Sequence, residues 1–198
     1  LVVECRHHLA TALSLQDRAA EAIGQFEAAA HWIDEHGSDD RRCEFHGNLA
    51  LSYDNCGRLA DAVPHHETAI ELAQRLGHHG NLVMCVNNHA ANRILGGRLR
   101  DGEALLLRAR QVRAQADDAS SLDGFAAMLQ AICDYQSGRY RAALRALAAS
   151  EEQLGRFAPG FRNAVRTHLA VCWAHLGQWG RLQQLIADRQ PFLDLAFS

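Results

Sequence analysis

The sequence predicts an all-α solenoid, and three observations carry that expectation. Small residues recur as a ladder at Ala10, Ala50, Ala90, Ala131 and Ala170, with steps of 40, 40, 41 and 39 residues. A helix breaker recurs at the same spacing as Gly57, Gly97, Gly138 and Gly177, with Asp17 standing in for the first. Alternating β-branched runs are missing and only three prolines occur in 198 residues, so the apolar pattern has helical rather than strand period. A period near forty that survives four steps signals stacked repeats, each burying its apolar face only against its neighbours. About ten helices in five helix-turn-helix repeats follow, forming one repeat domain over 1–198 with units at about 3–42, 43–82, 83–123, 124–162 and 163–198.

Helix 1A is expected over 2–15 and helix 1B over 18–35, where Ala22, Phe26 and Ala29 make a stripe at three-to-four spacing. Gly37-Ser38-Asp39 ends that hairpin and caps the next, because Gly tolerates positive φ and Ser or Asp accepts orphan amides. Helices 2A (40–55) and 2B (59–76) follow, with Pro64 early enough in 2B to bend it rather than break it. Helices 3A (82–95) and 3B (99–116) end at the polar run 117–121. Helices 4A (122–136) and 4B (140–154) lead to the Ala158-Pro159-Gly160 turn, and 5A (161–176) and 5B (179–189) stop at Pro191. Second and third small-residue ladders run along the B helices at Ala22, Ala62, Gly102 and Ala143, and at Ala29, Ala69, Ala109 and Ser150. Helices that cross closely need small residues at the crossing, with bulky neighbours filling the grooves. The terminal units are less regular: Asp17 replaces Gly, and Leu182 and Arg189 replace small residues.

Composition narrows function. A net charge of −3 gives no electrostatic reason to expect nucleic acid or an anionic membrane. All 20 basic residues are Arg, scattered rather than clustered, which reads as coding bias. The six cysteines at 5, 43, 56, 85, 133 and 172 form no C-x-x-C pair, so free and mostly buried thiols in a reducing cytoplasm are expected. No apolar run reaches the length of a membrane span. The chain opens at Leu1 inside a helical pattern and is expected to be part of a longer polypeptide.

The residues Leu49-Ala50, Tyr53, Gly57-Arg58-Leu59 and the spaced alanines that follow resemble the tetratricopeptide repeat. The long units, and Gly57-Arg58-Leu59-Ala60-Asp61-Ala62-Val63-Pro64 in particular, are similar to the repeats of kinesin light chains and to the sensor arrays of large ATP-dependent bacterial transcription activators. That resemblance covers essentially the whole chain. It implies a right-handed α-α superhelix whose A helices line a concave groove, and it implies a binding scaffold rather than an enzyme. It would place His7, Thr11, Asn48, Asp54, Asn55, Asn87, Asn88, Phe125, Met128, Tyr135 and His175 along that groove, with Glu4, Glu44, Met84, Ile94, Ile132 and Thr167 beside them. The first half of that set is polar and acidic and the second is apolar, which suits a protein segment with a basic and an apolar part.

Asn48 and Asn88 stand 40 residues apart, and an Asn amide offers the donor and acceptor that match one peptide unit. In kinesin-light-chain-like repeats Asn at this place holds ligand backbone; the alternative is two solvated helix asparagines. A peptide- or protein-binding sensor module of a cytoplasmic bacterial regulator is therefore the leading expectation. A small-molecule effector domain, like those of maltose-regulon-type activators, is the second. Neither needs a cofactor, and homo-oligomerisation stays open.

Twelve histidines raise a metal question. Cys43/His46, Cys85/His89 and Cys172/His175 each sit three or four apart, yet no fourth ligand follows at matching spacing, and His65-His66 and His78-His79 are expected at exposed positions. No phosphate loop, G-x-S-x-G or H-E-x-x-H is present. One anomaly remains. The bulky position three after each ladder alanine runs Leu13, Tyr53, Arg93, Asp134 and Trp173. Arg93 and Asp134 are expected to meet across adjacent A helices, unless each bonds a nearer neighbour.

Overall fold

A computed structural model describes residues 2–16, 18–115, 122–157 and 159–187. The described residues form ten α-helices and no strand: α1 (Val2–Leu15), α2 (Ala19–His36), α3 (Asp39–Asn55), α4 (Leu59–Leu76), α5 (His79–Leu95), α6 (Leu99–Arg113), α7 (Leu122–Gln136), α8 (Tyr140–Phe157), α9 (Pro159–His175) and α10 (Trp179–Ala187). They divide into two compact units, 1–118 and 119–198. In the first unit α1 to α6 pack in sequence order, with α1 also touching α3 and α3 touching α5; in the second α7 to α10 do the same, with α7 touching α9.

The recurrent breaker is a backbone device. Gly57, Gly97, Gly138 and Gly177 take φ of 72°, 73°, 77° and 68°. At each, the glycine N–H reaches a carbonyl three residues back and the next N–H one five residues back: Gly57 to Asp54 and Arg58 to Tyr53, Gly97 to Ile94 and Arg98 to Arg93, Gly138 to Tyr135 and Arg139 to Asp134, Gly177 to Ala174 and Gln178 to Trp173. This is the Schellman closure, which only a residue tolerant of left-handed φ makes without strain. In the first hairpin Arg18 N–H likewise bonds Leu13 O, and Asp17 lies outside the described residues.

The ladders are core. Ala10, Ala50, Ala90, Ala131, Ala22, Ala62, Ala143, Ala29, Ala69, Ala109 and Ser150 are all at most 1% exposed, while Ala170 is half-buried. Gly102 shows why one rung is smaller still. A Cβ there would stand 2.6 Å from Ile94 Cγ1 and 3.4 Å from the Ala90 carbonyl oxygen, so the bulk of Ile94 takes the space that Ala22, Ala62 and Ala143 fill elsewhere. Gly102→Ala is expected to lower stability by about 1–3 kcal/mol, reversing the sign of its helix propensity. Chemical denaturation in an Ile94→Ala background checks it: the cost should vanish there.

Helix bounds depart from expectation where capping decides them. α5 starts at His79, not 82, because His78 O accepts the Leu82 N–H and draws Gly80 and Asn81 into the first turn. α8 runs through Gly155 to Phe157, and Pro159 is the first residue of α9, where its missing N–H costs nothing. α6 ends at Arg113. α4 continues through Pro64, which lies six residues in; the carbonyl left without a donor belongs to Ala60, on the exposed side. Ser38 caps α3, its Oγ accepting the Arg41 N–H at 3.3 Å. Arg189 and the apolar tail 192–197 lie outside the described residues.

The two anomalous charges each have a partner within their own unit. Asp134 Oδ1 accepts from Arg139 Nε and Nη2 at 3.0 Å and from Gln130 at 3.4 Å, while Arg93 Nη2 faces Glu67 at 3.8 Å. The reason is a displaced repeat. In the first three hairpins the arginine before the B helix pairs with an acid three residues on, Arg18 with Glu21, Arg58 with Asp61 and Arg98 with Asp101, at 2.6–2.7 Å. The fourth hairpin has Ala142 at that place, and Arg139 turns back to Asp134 instead.

Candidate functional site

A cavity of about 360 Å³ lies between α3 and α5, lined by Asp40, Cys43, Glu44, Gly47, Asn48, Leu51, Asn81, Met84, Cys85 and Asn88. Its lining follows from helical period: 40, 44, 47, 48 and 51 share one face of α3, and 81, 84, 85 and 88 one face of α5. Asp40, Glu44, Asn81 and Met84 are exposed at its mouth, Gly47, Asn48, Leu51 and Asn88 are half-buried along its walls, and Cys43 and Cys85 are buried.

Each wall has a distinct chemistry. Asp40 and Glu44, one turn apart on α3, supply two carboxylates; Asp40 Oδ1 lies 3.5 Å from His78 Nδ1, and Glu44 Oε1 lies 3.4 Å from His7 Nε2. Asn48, Asn81 and Asn88 supply three carboxamides, and Leu51 and Met84 an apolar wall. A mid-helix glycine normally weakens a helix by about 0.5–1 kcal/mol relative to Ala. At Gly47 a Cβ would meet nothing within 4 Å, so packing does not require the glycine; its effect is to leave the cavity wall bare. Gly47→Ala is expected to raise the melting temperature while weakening any ligand seated against α3. Paired thermal melts and binding isotherms check the two signs together.

Of the expected groove residues, the structure brings Asn48, Asn88, Glu44 and Met84 to this one cavity, and the others do not line it. His7 is fully buried, stacked on Phe45 at 6.0 Å and edge-on to Phe26 at 5.8 Å, with Nδ1 unpartnered. Thr11 Oγ1 donates to the His7 carbonyl at 3.0 Å. Asn87 is fully buried, with both amide atoms unpartnered, and Asn55 is exposed at the end of α3. Met128 belongs to the core of the second unit, with Phe125 and Tyr135 packed against it. The Tyr135 ring lies 5.4 Å from His168, and His175 stacks on Tyr140 at 4.4 Å. Asp40, Cys43, Gly47, Leu51, Asn81 and Cys85 also line the cavity, beyond the residues expected at the groove. Part of the signal lies in the spacing: Leu51 and Cys85 stand three positions from Asn48 and Asn88, and Asp40 and Asn81 eight and seven.

Asp54 has a different task. Its carboxylate lies 2.8 Å from His66 Nε2, and it accepts from Asn92 Nδ2 at 2.7 Å; Asn92 also donates to the Leu59 carbonyl at 3.0 Å. His66 stacks flat on His89, with ring centroids 5.3 Å apart. His66 is only 1% exposed, which corrects the expectation of an exposed His65-His66 pair. A second string links Asp34, His46 and His65. Asp34 Oδ1 lies 3.0 Å from His46 Nε2, and the two imidazole Nδ1 atoms stand 2.9 Å apart. His65, half-buried, stacks on Tyr53, whose hydroxyl donates to Glu27 at 2.7 Å. Burial pushes the Tyr53 hydroxyl up to about 12, helped by Glu27. Burial also holds His7, His46, His65 and His168 below the ordinary histidine value and takes His89 down to about 4, with His66 and Arg93 adding to the last. Among the described residues no three His, Cys, Asp or Glu side chains converge to hold a metal, and no helix is long and apolar enough to cross a membrane.

No protein-family model and no curated protein sequence matches the chain. Solved structures do. The apo form of RapI superposes with a TM-score of 0.79 at 14% identity, covering 99% of this chain and 72% of that one. A Rap protein complexed with competence and sporulation factor gives 0.83 at 14% identity, over 92% of this chain and 51%, about half, of that one. The nearly identical TPR-like repeats of a putative kinesin light chain from Podosopora anserina give 0.66 at 17% identity, over 93% and 92%. The chain therefore has the all-helical tetratricopeptide-like repeat fold.

Proposed function

We propose that the chain is a binding scaffold, and that the α3/α5 cavity anchors one or two residues of an extended protein segment laid along the A helices. The single observation that carries this reading is the convergence of Asn48 and Asn88 on one cavity that also presents Asp40 and Glu44. Two carboxamides one repeat apart can each pair with a peptide unit, two carboxylates attract a cationic side chain, and Leu51 with Met84 accepts an apolar one. The Rap protein complexed with competence and sporulation factor supports it as a case of a ligand held by this fold. The finer placement, a sensor or interaction module of a cytoplasmic bacterial transcription or signalling regulator, rests on the resemblance to regulator arrays and on the Rap likeness. A metabolite is the second reading, favoured by the cavity's volume of about 360 Å³, which lies in the range of small-ligand pockets.

Panning a displayed random-peptide library against the chain tests the first reading. Wild type should enrich sequences that pair Arg or Lys with a large apolar residue. A peptide so selected should bind about tenfold less tightly to Asn48→Ala or Asn88→Ala, the loss expected from one or two hydrogen bonds. The melting temperature should hold. Equal loss of stability and binding would make the asparagines structural, and failure to enrich such peptides, with saturable binding of a small metabolite, would favour the second reading.

A further inference from the structure

The α3/α5 cavity has a closed counterpart one repeat earlier. Glu44, Gly47 and Asn81 at the cavity correspond, 40 residues back, to Glu4, His7 and Arg41 on α1 and α3. Between α1 and α3, Arg41 Nη2 donates to Glu4 Oε1 at 2.9 Å, tying the two helices together. His7 is fully buried there, its ring against Phe26 and Phe45. At the α3/α5 seam both of these side chains are cut back. Asn81 replaces the arginine and Gly47 the imidazole, and a Cβ at Gly47 would meet nothing within 4 Å. The acid is kept: Glu44 repeats Glu4, with Asp40 one turn away on α3. The opening of about 360 Å³ thus lies where the first seam carries its own guanidinium and ring.

We propose that the segment bound along the A helices seats an arginine, not a lysine, in this cavity, its guanidinium meeting Glu44 as Arg41 meets Glu4. The inference rests on the peptide-binding reading and names the residue at its centre. A carboxylate has about four acceptor sites, and at Glu44 His7 Nε2, 3.4 Å away, takes one. A guanidinium is a rigid fork of five donors, so one group can serve Glu44 and Asp40 together and still reach the carboxamide oxygens of Asn48 or Asn88. An ammonium is a compact, strongly hydrated point charge that cannot span the two carboxylates in that way. Gly47 leaves room for the arginine stem, and Leu51 and Met84 offer its methylenes an apolar wall. Asn81 and Gly47 are therefore the specificity-determining positions, because the longer side chains of the first seam would close the cavity from within.

The test is retention, on the immobilised chain, of three synthetic heptapeptide pools that are alike except for a central Arg, Lys or citrulline. Citrulline keeps the shape of arginine and lacks its charge. The Arg pool should be retained at least about tenfold over either of the others, the ratio set by one lost charge-assisted hydrogen bond. Asn81→Arg should build the ion pair of the first seam into the second. Its melting temperature should rise by about 1–4 °C, the gain of one ion pair in a chain of this size. That rise should vanish when Glu44→Gln is added, and Asn81→Arg alone should lose the Arg pool. Asn81→Lys adds the same charge without the fork and should lower retention less. Equal retention of the Arg pool and the Lys or citrulline pool overturns the inference and leaves the peptide reading standing. Retention of no pool removes both. A folded Asn81→Arg chain that still retains the Arg pool overturns the inference as well.

Discussion

Asp54→Ala is expected to cost about 3–5 kcal/mol, the loss typical of removing one partner from a buried polar pair. The Asp54 side chain is 7% exposed and that of His66 is 1% exposed, so water cannot replace what the carboxylate gives. The substitution strands two donors at once, His66 Nε2 and one N–H of Asn92, and the flat His66–His89 stack loses its anchor. Asp54→Asn should cost less, since one acceptor oxygen remains. A double-mutant cycle with His66→Phe checks the mechanism by urea denaturation: the coupling energy should exceed about 1.5 kcal/mol, the range of a hydrogen bond to a charged group. Additive single effects would mean that Asp54 acts through helix α3 alone.

Mild acid should destabilise the first unit before its carboxylates begin to protonate in number. His89 ordinarily takes its proton near 6.5, and in the fold this falls to about 4, because burial opposes the charge and His66 and Arg93 repel it. A depressed histidine is neutral in both states above 6.5, so it changes nothing there. Below 6.5 the unfolded chain binds a proton that the fold refuses, and stability falls until pH 4, where the fold accepts it too. That gap is worth about 3 kcal/mol for His89. His7, His46 and His65 move in the same direction and add to the slope. Denaturant midpoints at several pH values between 7.5 and 4 should therefore fall with pH, and more gently in His89→Phe. That variant keeps the stack on His66 and removes the buried, unpartnered Nε2, so near pH 7.5 it should be close to wild type. An unchanged slope would assign the acid sensitivity to carboxylates.

The fold was legible because it rests on short-range devices. A glycine that must take φ near 70° can be read from its recurrence, as can the alanines where helices cross. These local rules repeat every forty residues, so each copy corroborates the others. Helix bounds failed where one backbone bond outweighed composition, as when His78 O drew Gly80 and Asn81 into α5. The site was half legible. Asn48 and Asn88 could be paired by spacing alone, and the structure seats both at one cavity.

Polar residues were harder, because a side chain's task depends on what lies across from it. Asp54, His7 and Asn87 read from sequence as groove residues, yet Asp54 ties α3 to α4 and α5, and the other two are buried. The repeat that puts a residue on helix A does not say which side of that helix its neighbours cover. Arg93 and Asp134 share a repeat position, but the loss of an acid at Ala142 freed Arg139 to take Asp134. By itself the sequence determined the period, the turns and the small-residue crossings, since each is a constraint on a few consecutive or regularly spaced residues. Only the tertiary structure decided which polar groups meet, because Ser14 and Ser52, or Asp54 and Asn92, lie about forty residues apart and come together through the packing of whole helices.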